Sequence, residues 1–208
     1  MDHFEVFGLP RRLRIDEADL QRRFYKLARR HHPDFQAQAA PDEQARALEA
    51  SAGVNAAYRA LRHPIARIEY LVRLEEGRET KEGATVKPKA PPVLLEEMFE
   101  IQEALAEAKA GGLTDEVRAT LSAQRERLIA RYRDEEARLQ GPLAEGWDVA
   151  APAERPARLA ALKEALATRA YLRTVVDDLG AALGDTDGRF TADGEIEGRD
   201  RHVAHHRH

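Results

Sequence analysis

The stretch "LARRHHPDFQAQ", residues 27–38, places two histidines, a proline and an aspartate at the end of a basic helical pattern. Proline has no amide donor and disfavours helical backbone in the residue before it, so Pro33 predicts that the helix ends here. The tripeptide His32-Pro33-Asp34 therefore lies in a predicted loop. Loops are where side chains are most often held out for recognition by a partner.

The helix before this loop is predicted to be amphipathic. Asp16 is its predicted N-cap, and apolar residues recur at i, i+4 and i+7 along one face. Residues 20–33 hold five positive charges and no acid. In a chain of net charge −4, this cluster favours docking onto an acidic partner, although an exposed helix of any protein can carry such charges. The basic residues are Arg22, Arg23, Lys26, Arg29 and Arg30.

The neighbouring segments predict a helical hairpin around the loop. Pro41 opens a helical pattern that ends at His63-Pro64, and small alanines recur on its apolar face. Small residues would let this helix lie close and antiparallel to the basic helix. A short helix at residues 2–7 and an amphipathic piece at 65–72 are predicted beside the hairpin.

The composition predicts an all-α, water-soluble protein. Hydrophobic residues make up 43% of the chain and charged residues 34%, with Ala, Leu, Glu and Arg prominent. The chain has no cysteine, which excludes disulfides and thiolate metal sites, and its acidic balance argues against general nucleic-acid binding. No apolar run approaches the ~20 residues of a membrane helix, so we expect a cytoplasmic protein without membrane contact.

A change of composition divides the chain. The polar segment rich in Gly and Pro before residue 93 predicts a linker, and three long helical patterns follow at roughly 92–110, 114–139 and 154–183. Three such helices most simply form one bundle. The predicted organisation is an N-terminal domain at 1–75, a linker at 76–92, a three-helix bundle at 93–183 and a disordered tail at 184–208.

An acidic stripe marks the first helix of this bundle. Glu96, Glu100, Glu103 and Glu107 recur at helical spacing and so project from one side of the helix. Four like charges repel one another, a small cost that a binding surface could justify. The same pattern also fits a solvated acidic face, with the adjoining apolar residues covered by the next helix.

No catalytic residue, metal site or cofactor is predicted. His31, His32 and Asp34 do not by themselves supply converging donors, and no recognised metal-binding spacing is present. Asp34 could instead only cap backbone amides in the bend. Histidines in the tail could bind adventitious transition metal, but an unstructured segment defines no coordination geometry.

The basic helix, His32-Pro33-Asp34 and the hairpin together resemble the J domain of DnaJ-type co-chaperones. "DHFEVFGLP" at 2–10, "VNAAYRALRHPIARIEYLV" at 54–72 and "EGWDVAA" at 145–151 are similar to the HscB family, the J-type co-chaperones of iron–sulfur cluster assembly. The resemblance implies that the tripeptide and the basic face engage the ATPase domain of an HscA/DnaK-type chaperone. Phe35 stands where this family usually has a basic residue.

The same resemblance implies a second binding surface, on the bundle. In proteins similar to HscB, an apolar and acidic patch on the first bundle helix, with an aromatic from the last helix, binds the IscU-type cluster scaffold. The implied function is therefore a co-chaperone without catalytic activity of its own. Two alternatives remain open, a J-domain protein with a different client and a basic-helix adaptor for nucleic acid. The matching scaffold-binding positions are Leu95, Phe99, Glu100, Glu103, Glu107 and Tyr171.

Overall fold

The computed structural model describes residues 1–31, 40–77 and 94–184, without the side chains of residues 96–98 and 109. Within these ranges all regular secondary structure is helical, which confirms the predicted all-α class. None of the helices described is both long enough and apolar enough to cross a membrane. The predicted His32-Pro33-Asp34 loop, nearly all of the predicted linker and the predicted tail beyond Gly184 lie outside the described residues.

The described part of the N-terminal region contains four helices. Each begins at a cap or a proline: Asp2 and Asp16 accept backbone N–H groups at the first two starts, and prolines occupy the first turn of the next two. The Phe24 and Tyr58 rings stack with centroids 4.1 Å apart, so the second helix packs on the third. The helices are α1 His3–Val6, α2 Glu17–Arg30, α3 Pro41–Arg62 and α4 Pro64–Glu75.

The C-terminal region contains three long helices at nearly the predicted positions. Gly112, with a φ of 80°, follows the first of them, and the Thr114 hydroxyl accepts the Val117 N–H at the start of the second. Pro142 lies in a π-helical turn, where its missing amide interrupts the α-helical ladder. The elements are α5 Leu95–Gly111, α6 Asp115–Arg138, the π turn Leu139–Leu143, α7 Ala144–Asp148 and α8 Arg155–Leu183.

The chain forms two compact units, and their division differs from the predicted boundaries. Of the described residues, the first unit comprises 1–31, 40–77 and 136–166, and the second comprises 94–135 and 167–184. The sequence assigned 136–166 to a continuous bundle at 93–183. The structure instead places this segment with the N-terminal helices.

Buried apolar contacts explain why residues 136–166 belong to the first unit. Trp147 is 1% exposed and lies in the same core cluster as Phe4, Leu13 and Leu20. Burying an aromatic of this size is among the largest apolar contributions that one residue can make. Further buried members of this cluster from the same segment are Leu139, Ala144, Leu162 and Ala165.

Polar contacts hold the same junction. The Asp148 carboxylate accepts the Leu13 N–H at 2.7 Å and the Arg14 N–H at 2.9 Å. The guanidinium of Arg67, buried at 3% exposure, donates to the Leu13 carbonyl at 2.7 Å and the Leu61 carbonyl at 2.6 Å. Burial lowers the pKa of Arg67, and these acceptors satisfy its buried donors. We call Asp148 and Arg67, with the backbone that they hold, the Leu13 clamp.

The second unit has a separate core, built from α5, α6 and the C-terminal part of α8. Every one of these helices contributes a buried apolar face. The Arg169 guanidinium lies 4.9 Å from the centroid of the Tyr132 ring, a cation–π contact inside this unit. The fully buried side chains include Leu121 and Tyr132 from α6 with Leu172, Val176 and Leu179 from α8.

Candidate partner-binding surfaces

The basic side of α2 is exposed, as its spacing predicts. Leu20 on the opposite side is 1% exposed and belongs to the core. Among the described residues, Lys26, Arg29 and Arg30 have no carboxylate partner within 4.0 Å, so their charges are available to another molecule. We call the exposed residues Arg22, Lys26, Arg29 and Arg30 the α2 basic surface.

Arg23 has a different role from its neighbours. Its Nε donates to Asp19 at 2.7 Å, and its Nη1 donates to the Phe7 carbonyl at 2.8 Å. The hydrogen bond from Arg23 lowers the pKa of Asp19, and Arg22 also contacts this carboxylate at 3.1 Å. Arg23 is therefore half-buried and engaged within the protein, unlike Lys26, Arg29 and Arg30. Its guanidinium hydrogen-bonds both to the first turn of α2 and to the residue that ends α1.

Tyr25 is a surface residue that the sequence reasoning missed. Its side chain is 62% exposed, and it lies one helical turn from Arg22 and Arg29. The spacing of Tyr25 from Arg22 and Arg29 was a signal for this position, because residues three and four apart share one helix face. Beyond Arg30 the chain leads to His32-Pro33-Asp34, outside the described residues.

The first helix of the second unit presents apolar and acidic side chains together. Leu95 is 45% exposed and Phe99 is 76% exposed, whereas Ile101 on the core side of α5 is 3% exposed. Among the described residues no helix covers Phe99, and Leu95 is only partly covered, so the covered alternative is wrong for Phe99. Glu96 was also assigned to the acidic stripe, but its side chain is not described. We call the exposed residues Leu95, Phe99, Glu100, Glu103 and Glu107 the α5 surface.

Tyr171 does not join an exposed patch. It is 8% exposed and lies in the core cluster of the second unit, together with Leu172 and Val175. The apolar face of α8 is wide here because residues on adjacent sides of the helix are all buried. The sequence expectation of an exposed aromatic is corrected at this position.

Both surfaces are suited to binding macromolecules by complementary charge and shape. The α2 basic surface offers exposed cations to an acidic partner, and the α5 surface offers apolar area edged by carboxylates. In the described part of the chain, no group of three or more His, Asp or Glu residues is arranged to hold a metal ion.

Comparison with known proteins agrees with these features. The DnaJ domain family matches residues 2–70. The chaperone HscB from Vibrio cholerae is 30% identical, with a TM-score of 0.50, and the match covers 86% of this chain and 99% of that chain. The crystal structure of human co-chaperone protein HscB matches with 25% identity and a TM-score of 0.57, covering 87% of this chain and 81% of that chain.

The extent of these matches shows to which family the chain belongs. The DnaJ domain match includes α1 to α3 and most of α4, and it implies an Hsp70-type chaperone as partner. The match to the Vibrio cholerae protein extends over almost the whole of that chain and so includes the C-terminal helices. The protein is therefore a J-domain co-chaperone, and the chain belongs to the HscB family.

Proposed function

We propose that the protein stimulates the ATPase of an Hsp70-type chaperone of the HscA/DnaK kind and delivers an IscU-type iron–sulfur scaffold to it. The observation that carries this proposal is the presence of two exposed surfaces of opposite character on one chain. The α2 basic surface leads to His32-Pro33-Asp34, and the α5 surface combines apolar area with acid. Each surface would take a different partner.

The α2 basic surface is the contact for the chaperone in this proposal. Lys26, Arg29 and Arg30 are exposed cations without a described carboxylate partner, so they attract an acidic surface without first breaking an internal ion pair. Complementary charge raises the rate of encounter and sets the orientation of the complex. That orientation would bring His32-Pro33-Asp34 to the ATPase domain, where the tripeptide acts.

The α5 surface is the contact for the scaffold. Phe99, at 76% exposure, leaves a large apolar side chain in water, and Leu95 one turn before it is 45% exposed. An exposed aromatic with a charged rim is typical of a protein interface. The glutamates beside it favour a scaffold that presents an apolar pocket with basic residues at its edge.

Carrying both contacts on one chain has a kinetic consequence. A bound scaffold is held near the chaperone, because binding of the second partner becomes an event within one complex. The scaffold would thus reach the chaperone at a higher effective concentration than it has in free solution. ATP hydrolysis by the chaperone then captures the scaffold.

A steady-state ATPase assay of the purified chaperone tests this function. We expect stimulation by this protein, and a larger stimulation when the purified scaffold is also present. Stimulation that the scaffold leaves unchanged would support a J-domain co-chaperone with a different client. If the chaperone ATPase did not respond at all, the proposal would be wrong.

A further inference from the structure

A groove of about 760 Å³ lies between α3 and α4 in the first unit, and the residues of the α2 basic surface do not line it. Its floor is a row of alanines on α3, at positions 52, 56 and 60, with Ala66 on α4. A spacing of four residues places the α3 alanines in one line of about 12 Å. Side chains this small leave room for another chain to approach the helices closely.

Aromatic rings form part of the groove wall. His3 and Tyr70 stack with ring centroids 4.3 Å apart, and the His3 backbone N–H donates to the Tyr70 hydroxyl at 2.9 Å. This wall is held in place by the fold, because α1 and α4 both contribute to it. It gives a rigid, partly apolar surface in the same groove as the alanine row.

The charges at the rim have no partner among the described residues. Arg59 and Arg73 lie on different helices, and Glu69 is the one acid among the described lining residues. Two cations against one carboxylate give this lining a net positive charge, which an acidic partner would match.

We propose that this groove binds an acidic amphipathic helix of a partner protein. Apolar side chains of that helix would lie over the alanines, and its carboxylates would bond Arg59 and Arg73. Amphipathic helices bind to apolar grooves in this way. The groove selects the spacing of their apolar side chains, and the charges at the rim select their charged side chains. An open groove of this volume suits a helix better than an enclosed small molecule. The proposal does not depend on the proposed function.

Titration of the isotope-labelled full-length protein with a short synthetic helix of leucine and glutamate tests the proposal by nuclear magnetic resonance. We expect saturable shifts of the backbone amide signals of the four groove alanines. The same peptide with lysine in place of glutamate should produce none. Shifts confined to α2 would mean that the peptide binds the α2 basic surface, and this result, or no saturable shift, would overturn the proposal.

Variants of α3 sharpen the test. Arg59→Glu should weaken peptide binding about tenfold, because it replaces one attraction of about 0.5–1 kcal/mol by a repulsion of similar size. Ala56→Trp should block the groove, and thermal unfolding checks that this variant folds. Arg46→Glu makes the same charge change at an exposed site of α3 outside the groove and should have little effect. Equal weakening by the two charge reversals would overturn the proposal.

Discussion

Two aromatic residues of the second unit should respond oppositely to truncation. Phe99 is 76% exposed, so Phe99→Ala should leave the free energy of unfolding within about 0.5 kcal/mol of the parent. It should nevertheless weaken scaffold binding about tenfold to a hundredfold, since burying a large apolar side chain at an interface is worth ~1.5–3 kcal/mol. Calorimetric titration with the purified scaffold and thermal unfolding measure the two effects.

Tyr171 provides the matched control for this measurement. At 8% exposure in the core of the second unit, Tyr171→Ala should cost roughly 2–5 kcal/mol of folding free energy. Normal scaffold affinity in a folded Phe99→Ala variant would remove Phe99 from the interface. The resemblance to the HscB family grouped these two residues, and spacing along the sequence shows only which helix face a residue occupies. How much of that face its neighbours cover cannot be read from spacing.

His3 predicts a pH dependence of stability in the first unit. Burial lowers the pKa of His3 below its ordinary value of 6.5, with Asp2 opposing the shift and Arg73 adding to it. The folded state therefore favours the neutral ring, and the unfolded chain binds the proton more readily. Stability should be fully present above pH 6.5 and fall as the pH decreases below it.

The substitution His3→Phe isolates this contribution. Phenylalanine can stack on Tyr70 in the same way, and the backbone N–H that donates to the Tyr70 hydroxyl is retained. Chemical denaturation at a series of pH values should show a smaller loss of stability in mild acid for the variant. Identical pH profiles for parent and variant would contradict the assignment to His3.

At the scale of a helix, the α2 basic surface should act through charge. Reversal at Lys26 and Arg30, both to glutamate, should weaken chaperone binding, and added salt should weaken the parent in the same direction. The pair Arg127→Glu and Arg133→Glu changes net charge equally at exposed sites of α6. Affinities from surface plasmon resonance that were equal for the two double variants would remove α2 from the interface.

The Leu13 clamp should matter to the stability of the first unit. Asp148→Ala leaves the half-buried Leu13 N–H and the Arg14 N–H without their acceptor, which should cost about 1–3 kcal/mol in the free energy of unfolding. Glu145→Ala is the control, because its 3.5 Å contact with Arg14 is an exposed ion pair worth at most ~1 kcal/mol. Denaturant unfolding that gave equal losses for both would contradict the clamp.

The helix bounds were largely predictable, and the grouping of helices was not. Capping residues and apolar periodicity locate the start of α2 at Asp16 and of α6 near Thr114, because both signals are local. The partner of an apolar stripe is not a local property. Trp147 therefore gave no indication that its segment packs with Phe4 and Leu20 instead of completing the bundle.

For the whole molecule, the two proposed binding surfaces of this HscB-family chain lie on different units. Residues 136–166 complete the core of the unit that carries α2, whereas the α5 surface belongs to the other unit. Binding of the two partners can therefore be lost independently. A variant that fails to stimulate the chaperone should still bind the scaffold, and the reverse should also hold.

The substitution His32→Gln tests most directly whether the J domain stimulates the chaperone and whether the two partners bind independently. Stimulation of the chaperone ATPase by the full-length variant, measured with and without purified scaffold, should be abolished, because the glutamine changes the tripeptide that we propose acts on the ATPase domain. Thermal unfolding and calorimetric scaffold binding should match those of the parent. Stimulation equal to that of the parent would contradict the J-domain mechanism for this protein.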